Sequence, residues 1–151
     1  MVLDRQTGVI LFVQLKWYDV HGFGLAERDS RRDNLLTKGN EWVDKVHGWV
    51  NGRSCAEIAR IYGWGATAES PPLLLVMARH ASKFAGETRY DSRASWTSWY
   101  ALTEEMHDPA CDGLVEAIAR THRRKSGWDD PSGATIIEVP GMTVEVRTRQ
   151  S

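Results

Sequence analysis

An unbroken apolar run near the start of the chain most restricts what this sequence can fold into. The residues from Val9 to Val13 are all apolar, and they follow Asp4-Arg5-Gln6-Thr7-Gly8, which has the composition of a turn. A short apolar run bounded by turn residues is typical of a buried strand. We therefore expect a β-hairpin over Met1 to Lys16, whose first arm is only Val2 and Leu3.

A helical pattern follows this hairpin after a loop. Apolar residues recur on one face from about Ser30 to Val50, and Asn51-Gly52 provides a C-terminal stop. The predicted apolar face comprises Leu35, Gly39, Trp42, Val43, Val46, Trp49 and Val50. Ser54 and Glu57 have the spacing of a capping box, so a short second helix is expected to run from there to about Tyr62.

The second half of the sequence is predicted to form one more buried strand, two helices and a hairpin. Leu73 to Met77 is a continuous apolar run after two prolines, which indicates a buried strand. Helices are predicted over Ser95 to Met106 and from Asp108, as N-cap before Pro109, to about Arg124. A terminal hairpin is predicted from the alternation in Thr135 to Val139 and Met142 to Arg147. The expected order is ββααβααββ, an α/β fold with a mixed sheet in a single domain over residues 1–151.

Composition excludes several classes of protein. The formal net charge is −1, so any contact with nucleic acid has to use a local basic patch. The sequence has no apolar run of the ~18 residues that a membrane span needs, and the segment MVLDRQTG does not resemble a signal peptide. Cys55 and Cys111 do not make a disulfide framework, and no pair has the spacing of a zinc site. We expect a cytoplasmic protein with free thiols.

The polar residues after the first apolar run are the main candidates for chemistry. Gln14 and Lys16 lie two residues apart, so on a strand their side chains share one face. On spacing alone, a solvated strand end explains the pair. In the segment VILFVQLKW, however, the pair follows a hairpin turn and an apolar strand and precedes a long amphipathic helix. This arrangement resembles the core of the PD-(D/E)XK nuclease superfamily, the restriction-endonuclease-like fold, over roughly residues 1–78, with residues 79–151 forming a helical region and the terminal hairpin.

The resemblance implies a specific activity and cofactor. It implies hydrolysis of a nucleic-acid phosphodiester with Mg²⁺ or Mn²⁺, which would neutralise the phosphate and activate a water molecule. Gln14 would replace the usual carboxylate and give the metal a neutral oxygen, because such cations take oxygen ligands. Lys16 would orient the water or stabilise charge on the phosphate. The catalytic candidates are therefore Gln14 and Lys16, and Gln14 is the metal candidate.

The resemblance breaks at the second acidic ligand. The family carries an aspartate on the preceding strand, and Asp4 is the nearby candidate. If the turn is centred near Gln6 and Thr7, paired residues have numbers that sum to roughly 13, which places Asp4 in the turn and leaves no residue opposite Gln14. We therefore expect a fold that lacks its N-terminal part, is impaired as a nuclease, and has an open sheet edge that favours self-association. Glu41 is a weaker candidate, for which a solvated helix position is the simpler explanation.

Two other groups of residues suggest binding surfaces. A basic cluster near a helix C-terminus could contact phosphates, although dipole complementarity explains it as well: Arg120, Arg123, Arg124 and Lys125. Trp96, Trp99 and Tyr100 have helical spacing that favours a core position over a base-stacking surface. A non-catalytic protein-interaction module with a Trp-rich surface is the alternative function.

Overall fold

A computed structural model describes residues 1–16, 25–65, 67–79, 89–127, 135–139 and 142–146, with the backbone alone for 25–29, 122–127 and the last two segments. The elements in this part of the chain are β1 (Val2–Leu3), β2 (Ile10–Lys16), α1 (Leu25–Val50), α2 (Cys55–Tyr62), β3 (Leu73–Ala78), β4 (Ser95–Ser98), α3 (Trp99–His107), α4 (Gly113–Gly127), β5 (Thr135–Val139) and β6 (Met142–Val146). None of the helices described is long and apolar enough to cross a membrane.

The first four strands form one mixed sheet in the order β1-β2-β3-β4. β1 is antiparallel to β2, whereas β2, β3 and β4 are parallel to one another. The parallel part is built from the two apolar runs of the sequence, as expected for strands covered on both faces. The predicted mixed sheet is therefore confirmed. β5 and β6 pair antiparallel as a separate two-stranded sheet, which confirms the terminal hairpin.

Helices cover both faces of the sheet. On one face, Ile10 and Val76 pack into a cluster with Leu35 and Val43 of α1 and Ile58 of α2. On the opposite face, a smaller cluster contains Leu11, Leu75, Leu102, Ala117 and Ile118, so α3 and α4 pack there. Successive residues of a strand point to opposite faces, so one apolar run supplies both clusters. The fold is a three-layer α/β/α arrangement, and burying each large aliphatic side chain stabilises it by about 1.5–3 kcal/mol.

α1 lies unusually close to the sheet at one point. A Cβ atom at Gly39 would lie 2.2 Å from Cη2 of Trp96, so glycine makes room for the indole ring there. Trp96 is 1% exposed, and its Nε1–H donates a hydrogen bond of 2.9 Å to the backbone oxygen of Asp91. Gly39 thus belongs to the packed face of α1, as its periodicity predicts, although the helix starts at Leu25 rather than near Ser30.

The element order differs from the prediction by one strand. Ser95–Ser98 is β4, and α3 begins only at Trp99, so the predicted helix over Ser95 to Met106 is wrong in its first turn. The observed order is ββααββααββ. The four residues become a strand because they pair with β3, and the Ser98 hydroxyl then caps α3 by accepting a hydrogen bond from Ala101 N–H.

The start of the last helix also differs. α4 begins at Gly113, five residues after the predicted N-cap Asp108, which instead ends α3. The Asp108 carboxylate does accept a hydrogen bond from Ala110 N–H, but it does so in the connection between the two helices. The capping box of α2 is present as predicted, because Ser54 and Glu57 exchange hydrogen bonds between side chain and backbone.

Candidate nucleic-acid site at the carboxyl edge of the sheet

Gln14 and Lys16 lie on the same face of β2, as their spacing predicts. They alternate with Leu15 and share the parity of Ile10 and Phe12, which pack toward α1 and α2. The ring of Phe12 lies 5.9 Å from that of Trp49 in α1, measured between centroids. The side chains of Gln14 and Lys16 are both partly buried. This face of β2 therefore changes from a buried apolar residue at Ile10 to partly buried polar residues at Gln14 and Lys16.

The register places these residues in two rows across the sheet. Gln14 pairs with Val76, which pairs with Trp96, and Lys16 pairs with Ala78, which pairs with Ser98. The backbone N–H of Arg79 donates a hydrogen bond of 3.1 Å to the Lys16 oxygen, one residue beyond the second row. Lys16 therefore lies where the three parallel strands all end, and ligands of open α/β sheets bind outside the carboxyl ends of the strands.

Glu41 of α1 is a carboxylate whose pKa is lowered by nearby lysines. A hydrogen bond from Lys38 is the main cause that lowers the pKa of Glu41, and the charges of Lys38, Lys45 and Lys16 act in the same direction. The Glu41 carboxylate is exposed and lies 2.9 Å from the Lys38 ammonium. The direct partner of Glu41 is thus Lys38 on its own helix, and the charge of Lys16 has the smallest effect on its pKa.

Asp4 is held in the hairpin turn. Its carboxylate accepts hydrogen bonds from Gln6 N–H and from the Thr7 hydroxyl, at 3.1 and 2.7 Å. The pairs Val2–Leu11 and Leu3–Ile10 each have numbers that sum to 13, so β1 lies opposite Ile10 and Leu11 and not opposite Gln14. Asp4 therefore does not reach Gln14, which agrees with the predicted register.

The donor set shown around Gln14 does not fit a divalent cation. The resemblance noted in the sequence implies Mg²⁺ or Mn²⁺, either of which takes several oxygen ligands including a carboxylate. Within residues 1–16, 30–65, 67–79 and 89–121, whose side chains are described, no group of three or more His, Cys, Asp or Glu side chains is arranged to hold a metal. The Gln14 amide nitrogen instead approaches the Leu15 oxygen at 3.5 Å, and Asp19 lies outside the described residues. Among the described residues, the neutral amide of Gln14 lies on the same face as the cationic side chain of Lys16. This combination suits the binding of an anion.

The predicted basic cluster is only partly described. Arg120 donates hydrogen bonds to Glu116 and Asp108, both at 2.9 Å, and to the Ala110 oxygen. The hydrogen bond to Glu116 is the main cause that raises the pKa of Arg120. Arg120 thus ties α4 to the connection before it. Arg123, Arg124 and Lys125 lie in α4, but their side chains are outside the described residues.

The predicted aromatic group divides between core and surface. Trp96 is a core residue of β4, whereas Trp99 and Tyr100 are 53% and 60% exposed at the start of α3. The helical spacing of Trp96, Trp99 and Tyr100 predicts one shared face, but Trp96 lies in the strand Ser95–Ser98 and not in the helix. The exposed pair follows directly after Ser98, the end of the row that contains Lys16.

A polar network and a shallow cavity lie elsewhere around α1. Arg93 bonds Asp91 and Asp44, and its hydrogen bond is the main cause that lowers the pKa of Asp91. Asn40 holds the same loop by accepting from Asp91 N–H. The cavity, of about 520 Å³, lies between the α1–α2 connection and the start of β3, lined by His47, Val50, Asn51, Gly52, Arg53, Ser54, Glu57, Glu69, Pro71, Pro72, Leu74 and Arg93. It is at the end of the sheet opposite Lys16.

Comparisons with known proteins add no relative. No family model, no curated protein and no solved structure matches this chain.

Proposed function

We propose that this chain is a nuclease-like domain that contacts nucleic acid through Lys16 and Gln14 at the carboxyl edge of its sheet. Divalent-metal-dependent phosphodiester hydrolysis of nucleic acid is the activity that the restriction-endonuclease-like resemblance implies, and this chain is proposed to be impaired or inactive in it. The observation that carries the proposal is the shared face of Gln14 and Lys16 at the end of β2, next to α1.

The architecture around the pair supports this proposal. A hairpin, a long helix and a parallel strand follow one another as the resemblance implies, and helices cover both faces of the sheet. Lys16 projects from a rigid strand rather than from a loop, which holds a binding group in place. An ammonium at that position stabilises a phosphate by charge, and an amide can donate a hydrogen bond to it.

Impaired hydrolysis is proposed because of the ligands around Gln14. Asp4 is engaged in the turn, and Glu41 has Lys38 as its direct partner. A neutral amide alone holds a hard divalent cation weakly, so the water activation that such a metal provides is lost. Binding of phosphate then persists without efficient cleavage.

The experiment measures oligonucleotide binding and cleavage by the purified chain. Lys16→Ala is expected to weaken binding several-fold and to reduce the slope of log affinity against log salt by about 0.7 for a single strand, since one phosphate contact is lost. Arg60→Ala is the matched control, because Arg60 is an exposed cation on α2 outside this row. Equal effects of the two substitutions would refute a contact by Lys16.

Cleavage is tested in the same samples with Mg²⁺ or Mn²⁺. No robust cleavage of single- or double-stranded DNA or RNA is expected. Cleavage that disappears in Lys16→Ala would show that another carboxylate completes the metal site, and the proposed impairment would then be wrong.

The second candidate is a non-catalytic protein-interaction module. The exposed rings of Trp99 and Tyr100 favour it, because aromatic side chains are enriched at protein interfaces. Self-association through the sheet edge belongs to the same class: β1 pairs with two residues of β2, and Phe12 to Lys16 pair with β3 alone among the described strands. Sedimentation velocity over a range of concentrations separates a monomer from such an assembly.

A further inference from the structure

The outer edge of β2 is covered by β1 over only part of its length. β1 pairs with Leu11 and with the residue before it, whereas β2 continues to Lys16. On its other edge, β2 pairs with β3 as far as Lys16. Among the described strands, the second half of β2 therefore has a neighbour on one side alone. A strand edge of this kind is a template for pairing with another chain.

Two hydrogen bonds show which backbone groups face this edge. The Lys16 oxygen accepts a hydrogen bond of 3.1 Å from Arg79 N–H, so the backbone groups of Lys16 face β3. The Val9 oxygen accepts a hydrogen bond of 2.9 Å across the hairpin, so the backbone groups of Val9 face the β1 side. These directions alternate along a strand, and the N–H and C=O groups of Val13 and Leu15 therefore face the outer edge beyond β1.

The side chains of this edge differ between the two faces of the sheet. Val13 and Leu15 lie on the face that carries α3 and α4, where Val13 is half-buried and Leu15 is 60% exposed. Phe12, Gln14 and Lys16 lie on the other face. The Gln14 amide nitrogen approaches the Leu15 oxygen at 3.5 Å, a long contact that a backbone N–H on a neighbouring strand would replace.

We propose that this edge pairs with the same edge of a second copy of the chain, antiparallel and with Gln14 opposite Gln14. In this register, Val13 of each copy lies opposite Leu15 of the other, so their outward backbone groups exchange hydrogen bonds and their apolar side chains meet. The two Gln14 amides also face each other, and each has a donor and an acceptor. This inference rests on self-association, the second candidate function, and does not require the nucleic-acid contact.

The charge on the strand favours the antiparallel arrangement. Lys16 is the charged residue of β2, and a parallel pairing in register would place the two ammonium groups side by side. In the antiparallel register Lys16 lies opposite Phe12 of the second copy, and the two lysines are about 13 Å apart along the strands. Met1 would continue β1 opposite Phe12, but it lies outside β1 and is 42% exposed. The central pairs of Val13 with Leu15 lie beyond Met1 and do not depend on its position.

Cysteine cross-linking tests the register. Opposite residues that exchange no backbone hydrogen bonds have Cα atoms about 4.5 Å apart, which a disulfide can span. Gln14→Cys is therefore expected to give a disulfide-linked dimer under mild oxidation. Leu15→Cys is the matched control, because the two copies of residue 15 are diagonal neighbours about 7–8 Å apart, beyond the usual range of a disulfide. Both variants carry Cys111→Ser, since Cys111 is half-buried whereas Cys55 is buried.

Sedimentation equilibrium measures the association itself. Wild type is expected to show a concentration-dependent equilibrium between monomer and dimer. Leu15→Pro removes an N–H that faces the second copy and keeps the pairing with β3. It should raise the Kd of the dimer by about tenfold or more, because each dimer loses two hydrogen bonds. Ile61→Ala removes an apolar side chain of equal exposure, 60%, from α2 and should leave this Kd unchanged.

Each outcome supports or overturns the proposal. A dimer that cross-links through Gln14→Cys and is weakened by Leu15→Pro supports it. A dimer that cross-links as well through Leu15→Cys, or that is unchanged in a folded Leu15→Pro variant, overturns this edge while self-association stands. Circular dichroism shows whether Leu15→Pro is folded, and if it is not, the cross-linking pair decides. A concentration-independent monomer overturns both, and the contact of Lys16 with nucleic acid is decided separately by Lys16→Ala.

Discussion

Replacing Gly39 by alanine should destabilise the protein, although alanine is the better helix former. The added Cβ would lie 2.2, 2.7 and 3.3 Å from three ring carbons of Trp96. Optimal carbon contacts are about 3.5–4.0 Å, so the closest of these overlaps by more than about 1 Å. Trp96 is 1% exposed and is held by its hydrogen bond to Asp91, so the ring has little room to move.

The magnitude follows from two opposing effects. Overpacking a well-packed core costs about 1–3 kcal/mol, and the rigid position of Trp96 favours the upper end. Alanine is better than glycine within a helix by about 1 kcal/mol. The free energy of unfolding should therefore fall by about 2 kcal/mol, which lowers the melting temperature by roughly 4–8 °C for a chain of this size.

The assay is urea and thermal unfolding followed by far-UV circular dichroism, with the near-UV signal as a report on tryptophan packing. Gly48→Ala is the matched control, since it lies in the same helix and a Cβ there meets nothing within 4 Å. That control should raise stability by about 0.5–1 kcal/mol. In a Trp96→Phe background, which shortens the ring, Gly39→Ala should cost less.

A Gly39→Ala protein as stable as wild type would refute the reasoning. Such a result would mean that α1 does not approach β4 at this position. The row of Gln14, Val76 and Trp96 would then not lie directly beneath the helix.

Three further predictions concern polar contacts. Ser54→Ala should lower stability by about 1 kcal/mol through loss of the α2 cap, measured by urea unfolding, and Ser54→Asp should restore it. Because Arg93 lowers the pKa of Asp91, the Asp91 carboxylate stabilises the fold above its unfolded pKa near 4, and this stabilisation is lost as the pH falls through the lower folded pKa. Asp91→Asn should therefore lose less stability than wild type on acidification. Identical stability profiles of the two proteins at acidic pH would contradict a stabilising role of the Asp91 carboxylate. Arg120→Ala should lower the melting temperature but leave the salt dependence of oligonucleotide binding unchanged, because Arg120 is engaged with Glu116 and Asp108; a reduced salt slope would assign it to the phosphate surface instead.

Local sequence patterns determined several elements of this protein. The strand at Val9 to Val13, the helix face around Val43 and the capping box of α2 all follow from residues close together in the chain. The register of the first hairpin followed as well, because a turn fixes which residues pair. The common face of Gln14 and Lys16 required only the period of a strand.

Only the tertiary structure decided the last strand of the main sheet and the environment of the site. Ser95–Ser98 has no strong local preference and becomes a strand because it pairs with β3. Trp96 in this strand is therefore buried, whereas Trp99 and Tyr100, which follow it in α3, are exposed. Pairing between strands far apart in sequence also sets the row of Lys16, Ala78 and Ser98. Such contacts depend on which distant segments pack together in the folded chain, and a local pattern of residue types does not determine that packing.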